Sequence, residues 1–465
     1  MDMIDKNRSL EGLDKRYIWH PFTQMKDWLD ERPVIISEGK DCFLKDIYGN
    51  WYLDGVSSLW VNMHGHRKRE LDDAIRTQLA KIAHSTMLGL SNEPAITLAE
   101  RLIGLLHTAA SPHNDSSSIA PPLSKVFYSD NGSTAVEVAL KMAFQYWLHK
   151  GMSGRTAFLS LENAYHGDTL GAVSVGGIDI FHKAFGPLLF QTYRAPSPYC
   201  YRCTFDESHP DCTFRCLGAM EDILKKHSEE IAAVIVEPLV QAAGGMIVSP
   251  PGYLRGVREL STRYRVLMIA DEVATGFGRT GRMFACEHEA VIPDILCLSK
   301  GLTGGYLPLA ATVATDEIYN AFLGEFRDLK TFFHGHSYTG NPLGCAAALA
   351  CLDIFHNEDT LGQLRPKIER MESFLKDIAF LDHVGNVRSR GLMAGIELVR
   401  DKATKEPYPW EERMGWRVAH YAKAKGIFIR PLGNIVVIMP PLSIVIENLE
   451  RLMSVIAEGI RSVTA

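Results

Sequence analysis

Short apolar runs alternate with helix-length stretches in this chain, and this alternation constrains its fold more than any other feature. The clearest runs stand at residues 125–130, 157–162, 232–238, 266–272 and 294–300. Alternation of this kind is typical of a mainly parallel sheet with helices packed on its faces. We therefore predict an α/β fold whose large domain is built on such a sheet.

These runs end in polar or charged residues, among them Asp130, Glu237, Asp271 and Lys300. In open α/β sheets ligands gather at the carboxyl ends of the strands, so we expect the four side chains to converge. Lysine is rarely buried without a use for its charge. Desolvation at such a place would lower the pKa of Lys300 and make its amine a candidate nucleophile.

A second candidate site is the start of the helix that follows the first run. Asn131, Gly132 and Ser133 precede this helix, and Thr134 with Glu137 fits a capping box. Unpaired N–H groups at a helix start bind anions such as phosphate, although an ordinary N-cap explains the same residues.

These features together describe one cofactor. A phosphate cradle, the carboxylate of Asp271 for a ring nitrogen and the imine-forming amine of Lys300 are the parts of a pyridoxal 5′-phosphate site.

Length and charge bound the remaining possibilities. The chain has 465 residues, more than one compact core holds, and its net charge is −6. It has no basic footprint for nucleic acid, no apolar run near the roughly 20 residues of a membrane span and no signal-peptide core. We predict a cytoplasmic protein with a large domain (65–334) and a small α+β domain (335–465). The N-terminal segment (1–64) should pack on the small domain, and residues 107–124 should form a surface loop.

One cysteine cluster could bind a metal. Cys200, Cys203, Cys212 and Cys216 have the spacing C-x2-C-x8-C-x3-C, with His209 between them. The spacing could hold a tetrahedral zinc, but the second pair departs from the usual knuckle. Reduced cysteines in a loop are the alternative, and we predict no metal.

Several long motifs carry a family resemblance. "FYSDNGSTAVEVALKMA", "NAYHGDT", "ADEVATGFGRTG", "LSKGLTGG" and "HGHSYTGNPLGCAAALA" resemble the class III aminotransferases of fold type I across most of the chain. This implies a mainly parallel seven-stranded sheet in the large domain and pyridoxal 5′-phosphate as the cofactor. "YIWHPFTQM", "HGH" at 64–66 and "IRPLG" are similar to the biotin-pathway branch of the family.

The resemblance implies roles for the cofactor residues. Lys300 would bind the cofactor covalently and then act as general base and acid, and Gly301, Gly304 and Gly305 would leave room for it. Asp271 would bind the pyridine nitrogen, and Tyr165 would lie over the ring.

The phosphate would be held by Asn131, Gly132 and Ser133. Ser337, with His336 beside it, would complete the phosphate site of the other subunit, which implies a homodimer with shared active sites.

The same resemblance places the substrate side. Arg430 would grip a substrate carboxylate, and Gly335 and Trp60 would lie close to the substrate. Phe22, Leu59 and Val437 depart from residues common in the branch, on the side expected to meet substrate and donor. Glu237 and Arg279 could be either a structural pair or substrate contacts.

The branch implies transfer of an amino group to 8-amino-7-oxononanoate, with S-adenosylmethionine or lysine as the donor. The alternatives are an ω-aminotransferase for a diamine, β-amino acid or 4-aminobutyrate, a glutamate-1-semialdehyde aminomutase, and a non-catalytic scaffold that binds the cofactor. Ala274 favours the biotin branch over the other ω-aminotransferases.

Overall fold

The computed structural model describes residues 3–110 and 122–465. The strands in these residues are β1 (Ile36–Lys40), β2 (Phe43–Asp46), β3 (Trp51–Asp54), β4 (Leu123–Ser129), β5 (Ala157–Leu161), β6 (Thr192–Ala195), β7 (Ile231–Val236), β8 (Val240–Gln241), β9 (Ile247–Val248), β10 (Leu267–Asp271), β11 (Ile295–Leu298), β12 (Ala310–Thr315), β13 (Val384–Arg390), β14 (Met393–Asp401), β15 (Glu406–Pro407), β16 (Ile427–Phe428) and β17 (Ile435–Ile438).

The helices of the same residues differ widely in length. The longer ones are Met3–Tyr17, Arg69–Lys81, Glu93–Ala110, Gly132–His149, Arg215–His227, Tyr253–Arg263, Pro342–Asn357, Leu364–Ile378, Met414–Ala424 and Ile446–Thr464. The shorter ones are Met25–Asp30, Leu170–Ser174, Asp179–His182 and Asp316–Ala321. None of the described helices is long and apolar enough to cross a lipid bilayer.

A seven-stranded sheet in the order β4-β12-β11-β10-β7-β5-β6 forms the centre of the large domain. Its neighbouring strands are parallel except for β12, which runs antiparallel to both β11 and β4. The predicted mainly parallel seven-stranded sheet is confirmed.

The central strands are buried on both faces. Every residue of β7, β10 and β11 is buried. Their side chains alternate between two hydrophobic clusters, with Met268 and Ala270 in one and Leu267 and Ile269 in the other. This period of two, with apolar residues on both faces, is what helices on each side of a parallel sheet require.

Five strands coincide with the predicted apolar runs, namely β4, β5, β7, β10 and β11. The sequence analysis did not predict β6 or β12. The sequence of β12 is AATVAT, which is rich in alanine and carries a weak strand signal. The predicted loop at 107–124 lies mostly outside the described residues, and its two ends belong to the helix Glu93–Ala110 and to β4.

The ends of the chain meet in a second region. Strands β13, β14, β15 and β17 form one sheet, and β1, β2 and β3 form another with β16. β16 is parallel to β3, with Ile427 opposite Leu53. The N-terminal segment therefore shares a sheet with the C-terminal part of the chain.

The helix Pro342–Asn357 packs against the helices Arg69–Lys81 and Glu93–Ala110 and against the turn Lys300–Thr303. It lies beyond residue 335, the predicted start of the small domain, yet it contacts the large domain. The position of the domain boundary stays a prediction.

Candidate functional site

The carboxyl ends of β7, β10 and β11 deliver the central groups of the site. Glu237 directly follows β7, Asp271 ends β10, and Lys300 stands two residues after β11. These three strands are neighbours and parallel, so their ends lie at one edge of the sheet. Asp130 follows β4, two strands beyond β11 in the sheet, and its carboxylate instead contacts His336.

Lys300 begins a 3-10 turn in a left-handed conformation, with a φ of +40°. Its side chain is half-buried, and its Nζ lies 4.8 Å from the centre of the Trp60 ring. Burial lowers the pKa of Lys300, and the charges of Asp271 and Glu237 partly oppose that shift. The amine is therefore closer to its neutral, nucleophilic form than an exposed lysine.

Close packing requires glycine at two of the positions after Lys300, and the expectation that these glycines also leave room for the cofactor stays a prediction. A Cβ on Gly301 would stand 2.3 Å from Met63 Cε, and one on Gly305 would stand 2.9 Å from the backbone of Asn62. Gly304 and Gly305 also have positive φ.

Asp271 is buried and carries a partner that the sequence analysis missed. Its Oδ2 lies 2.7 Å from His166 Nδ1, and its Oδ1 accepts the N–H of Val273 at 3.0 Å. His166 is itself buried, and its Nε2 has no partner among the described residues. The motif "NAYHG" signalled Tyr165 but gave no reason to pair the adjacent histidine with a strand 105 residues away.

Tyr165 is held between two carboxylates. Its hydroxyl donates to Asp168 Oδ2 at 2.9 Å, and its N–H donates to Glu237 Oε1 at 3.2 Å. Glu237 also accepts the N–H of Ala242 at 2.9 Å. Burial raises the pKa of Glu237 to about 7 and also raises that of Tyr165.

Glu237 and Arg279 do not form a pair in the structure. Arg279 is fully buried and donates to the carbonyl oxygens of Pro440 at 2.5 Å and Asn62 at 2.9 Å. Burial lowers its pKa to about 9. Arg279 therefore ties the large domain to two distant segments.

The start of the helix Gly132–His149 has the features of the predicted anion site, and phosphate binding there stays a prediction. Asn131 is the N-cap, and its side chain accepts the N–H of Thr134 at 3.1 Å. The N–H groups of Gly132 and Ser133 have no acceptor among the described residues. A Cβ on Gly132 would stand 2.5 Å from Val273, so only glycine fits here.

Two details of this helix start differ from the prediction. The capping box joins Asn131 and Thr134, whereas Glu137 accepts the N–H of Gly171 at 2.6 Å. Ser133 Oγ lies 2.8 Å from Thr169 Oγ1 and accepts the N–H of Thr169 at 3.0 Å. Thr134 thus completes the capping box with Asn131. Glu137 is left to hold the neighbouring segment at Gly171.

His336, Ser337 and Gly335 lie on the segment that precedes the helix Pro342–Asn357. His336 Nδ1 is 2.6 Å from Asp130 Oδ2, directly beside the anion site. Gly335 and Ser337 are exposed, and the Ser337 hydroxyl makes no hydrogen bond within the part of the chain that the structure describes.

The predicted substrate residues come from both ends of the chain. Arg430 is half-buried, and one of its nitrogens donates to the carbonyl of Phe22 at 3.0 Å. The Phe22 ring packs edge-on against Phe181 at 5.3 Å, and Phe181 packs against Tyr165 at 6.3 Å. These contacts bring Arg430 and Phe22 to the same side as Tyr165.

Val437 does not belong to this side. It lies in β17 opposite Gly395 and is fully buried in the hydrophobic core. A residue without exposed surface cannot line an open cleft, so its expected place beside the substrate is wrong in this structure.

The segment Ser57–Trp60, which we call the left-handed turn, carries Trp60 to Lys300. Its four residues all have φ between 49° and 71°. The N–H of Trp60 donates to Val56 O at 2.7 Å, and the N–H of Val61 donates to Ser57 O at 3.0 Å. Left-handed backbone costs about 1–2 kcal/mol per non-glycine residue. Trp60 is buried, while Leu59 is exposed.

The cysteine cluster shows no metal site. Cys200, Cys203, Cys212 and Cys216 are free and half-buried. No group of three or more potential ligands in the described residues could hold a metal ion.

The fold and this site define a lysine-centred aminotransferase, and the comparisons identify its family. Residues 25–460 match the class III aminotransferase family, and the chain belongs to it. The predictions of a class III aminotransferase and of its pyridoxal-phosphate chemistry are confirmed at the level of the family.

Particular relatives cover almost the whole chain. The adenosylmethionine-8-amino-7-oxononanoate aminotransferase of Geobacter sulfurreducens is 55% identical over 459 residues, which is 98% of each chain. The crystal structure of the enzyme of that name from Methanocaldococcus jannaschii has a TM-score of 0.90 at 48% identity and covers 98% of this chain and 99% of its own. An amine transaminase from an uncultivated Pseudomonas species, solved in its PLP-bound form, has a TM-score of 0.89 at 37% identity, with 96% and 98% covered.

Proposed function

We propose that this protein transfers an amino group from S-adenosylmethionine to 8-amino-7-oxononanoate and so makes 7,8-diaminononanoate for biotin biosynthesis. The arrangement of Lys300 and Asp271 at adjacent strand ends carries the aminotransferase part of this proposal. The names of the relatives from Geobacter sulfurreducens and Methanocaldococcus jannaschii support the acceptor and the donor.

The residues present fit pyridoxal 5′-phosphate. The unpaired N–H groups of Gly132 and Ser133, at the positive end of an 18-residue helix, suit the phosphate. The buried carboxylate of Asp271 suits the protonated ring nitrogen, and His166 fixes that carboxylate in place. When bound, the cofactor would supply an electron-accepting ring that makes the C–H bond beside the transferred amine acidic.

Lys300 performs the proton transfers in this proposal. Its Nζ, kept from water by Trp60 and by burial, takes a proton as a neutral amine and returns it as an ammonium group. Asp271 and Glu237 lie near enough to stabilise the ammonium form, so both forms of Lys300 are accessible during turnover. Tyr165, held by Asp168 and Glu237, would cover the face of the ring.

Arg430 would bind the carboxylate of 8-amino-7-oxononanoate. Its guanidinium donates one hydrogen bond, to the carbonyl of Phe22, and its Cζ lies 5.6 Å from the centre of the Trp416 ring, but it makes no ion pair within the described ranges. Donors of the planar group are thus left for a carboxylate, which it can grip with two parallel hydrogen bonds.

The proposal includes a homodimer in the cytoplasm. The segment that carries Gly335 and Ser337 exposes several large apolar side chains, with Phe326 at 96% and Phe333 at 74% exposure. An apolar surface of this kind is typical of a protein interface. The nine cysteines are free, which suits a reducing compartment.

A titration of the purified holoenzyme tests the reaction. S-adenosylmethionine should bleach the absorbance of the bound cofactor, and 8-amino-7-oxononanoate should then restore it. Bleaching by lysine alone would replace the donor but keep the acceptor. Bleaching by 4-aminobutyrate alone, without recovery by 8-amino-7-oxononanoate, would contradict the biotin-pathway function and favour another ω-aminotransferase.

A further inference from the structure

The left-handed turn contains no glycine, so its conformation must be imposed from outside. Glycine adopts positive φ at little cost, but serine, leucine and tryptophan do not. Four consecutive residues of this kind at positive φ persist only where their surroundings hold them. The groups that contact Ser57–Trp60 therefore help to hold Trp60 in position.

Asp54 holds the middle of the left-handed turn by two hydrogen bonds. It is fully buried at the end of β3, and its Oδ1 accepts the N–H of Ser58 at 2.8 Å. Its Oδ2 accepts the Ser58 hydroxyl at 2.7 Å and lies 3.1 Å from His66 Nε2. Both backbone and side chain of the second residue of the left-handed turn are thus fastened to one carboxylate.

The hydrogen bonds around His66 define its tautomer. Asn62 Oδ1 accepts the N–H of Gly65 at 2.7 Å, so Asn62 Nδ2 is the atom 3.1 Å from His66 Nδ1. An amide nitrogen only donates, so Nδ1 must accept. The ring proton therefore sits on Nε2 and is donated to Asp54.

We propose that Asp54 and His66 are positioning residues for the transamination, which hold the left-handed turn so that the Trp60 ring stays against Lys300. This inference rests on the proposed function for its kinetic consequence but not for its structural one. Trp60 is buried at 7% exposure while its neighbour Leu59 is 52% exposed, so the turn separates a ring that faces Lys300 from a side chain that faces solvent. A ring moved from this place would admit water to the amine and displace it from its working position.

The remaining contacts of the turn do not replace those of Asp54 and His66. The Ser57 hydroxyl donates to Met439 O at 2.6 Å, and Arg279 donates to Asn62 O. They fasten the two ends of the segment, whereas Asp54 and His66 fix its middle, where the left-handed residues Ser58 and Leu59 lie.

The test compares His66→Ala with His66→Gln, whose amide N–H can still donate to Asp54. His227→Ala is the control, because His227 also pairs with a carboxylate, Glu230, at 3.3 Å but on the surface. Each protein is prepared with and without Trp60→Phe, and near-ultraviolet circular dichroism is recorded without cofactor. For each protein, the spectrum with Trp60→Phe is subtracted from the spectrum without it. The remaining signal comes from Trp60 and reports how rigidly its ring is held.

We expect the Trp60 signal to be lost in His66→Ala and kept in His66→Gln and His227→Ala. In the holoenzymes, kcat should fall about tenfold or more in His66→Ala, with KM within about threefold, since small misplacements of reacting groups cost up to about 100-fold. An unchanged Trp60 signal in folded His66→Ala, or an equal loss in His66→Gln, would overturn the proposal.

A rescue variant separates positioning from simple loss of stability. Leu59→Gly removes an exposed side chain at a left-handed position, so the turn should need less clamping. The double variant His66→Ala/Leu59→Gly should show more of the Trp60 signal than His66→Ala, with Leu59→Gly alone as the reference for the full signal. If the double variant shows no recovery, the left-handed backbone does not have the proposed role. The spectra need no substrate, so failure of the proposed reaction would leave them readable.

Discussion

The edge of the seven-stranded sheet and the region where the chain ends meet contribute to the site in different ways. At the sheet edge, Asp271 is 4% exposed and is fixed by His166 and by its own strand. On the other side, Phe22 is 55% exposed, and Arg430 has one hydrogen bond, to a carbonyl, and one ring contact, to Trp416. The side chains of the first region are therefore fixed by the core. Substitutions at the exposed positions of the second region should cost the core little stability.

In the proposed function, this difference separates the residues of the cofactor chemistry from those of substrate choice. Groups at strand ends are placed by a sheet that is buried on both faces, so altering them disturbs the reaction itself. Substitutions on exposed segments should change substrate recognition alone. Phe22 and Leu59, two of the residues that depart from the branch of the family, are both exposed on the second side.

The largest effect should come from removing the amine at the sheet edge. Lys300→Ala deletes the covalent anchor and the proton carrier, so kcat/KM should fall by about 10⁴-fold or more. Borohydride reduction followed by peptide mapping should no longer find a cofactor adduct. Lys125→Ala, an exposed lysine of β4, is the control, and an adduct on any other residue of the wild type would contradict the assignment of Lys300.

Asp271→Asn should have the next largest effect. It keeps the size of the side chain but removes its charge, and hydrogen bonds to charged groups contribute about 1.5–3 kcal/mol, so kcat should fall about 10- to 100-fold. The measurement is the rate of both half-reactions by stopped-flow absorbance. A loss confined to the acceptor half-reaction would move Asp271 out of the shared cofactor machinery.

Arg430→Ala tests the opposite region. Loss of the bidentate contact should raise KM for 8-amino-7-oxononanoate about tenfold and leave the donor half-reaction nearly normal. Arg430→Lys keeps the charge without the planar fork and should recover only part of the loss. Equal damage to both half-reactions would erase the distinction between the two regions.

The smallest expected effect concerns stability at the sheet edge. The pKa of Glu237 is raised from 4.5 to about 7 in the folded chain, so the folded state binds its proton more tightly than the unfolded state. Its contribution to stability is therefore fully present at low pH and declines as the pH rises from about 4.5 to about 7.

Glu237→Gln should remove that decline. Between pH 5 and pH 7.5 the wild type should lose about 1 kcal/mol or more of unfolding free energy relative to the variant, measured by denaturant titration. Glu229→Gln, whose side chain is 91% exposed, should change nothing. A variant with the same pH dependence as the wild type would contradict the raised pKa.

Much of the fold could be predicted, because strands buried on both faces leave continuous apolar runs. β7, β10 and β11 were recognisable from these runs, and their last residues pointed to Glu237, Asp271 and Lys300. β6 was missed because its four residues are too few to show a period, and β12 because it is rich in alanine.

The partners of the site residues were much harder to predict. His166 with Asp271, and His66 with Asp54, are polar pairs whose members are not identified by periodicity or by local motifs. The position of Val437 misled for the same reason, since sequence spacing carries no information about how edge strands are oriented.

The sequence alone determined the class of sheet, the lysine and carboxylate at its edge, and the glycine-containing helix start. Each follows from local rules: apolar runs make buried strands, and a helix start leaves unpaired N–H groups. Only the tertiary structure decided that Trp60 lies against Lys300, that Arg430 reaches Phe22, and that a left-handed turn is held by Asp54. Those contacts join segments far apart in the chain, and they depend on how the whole chain packs.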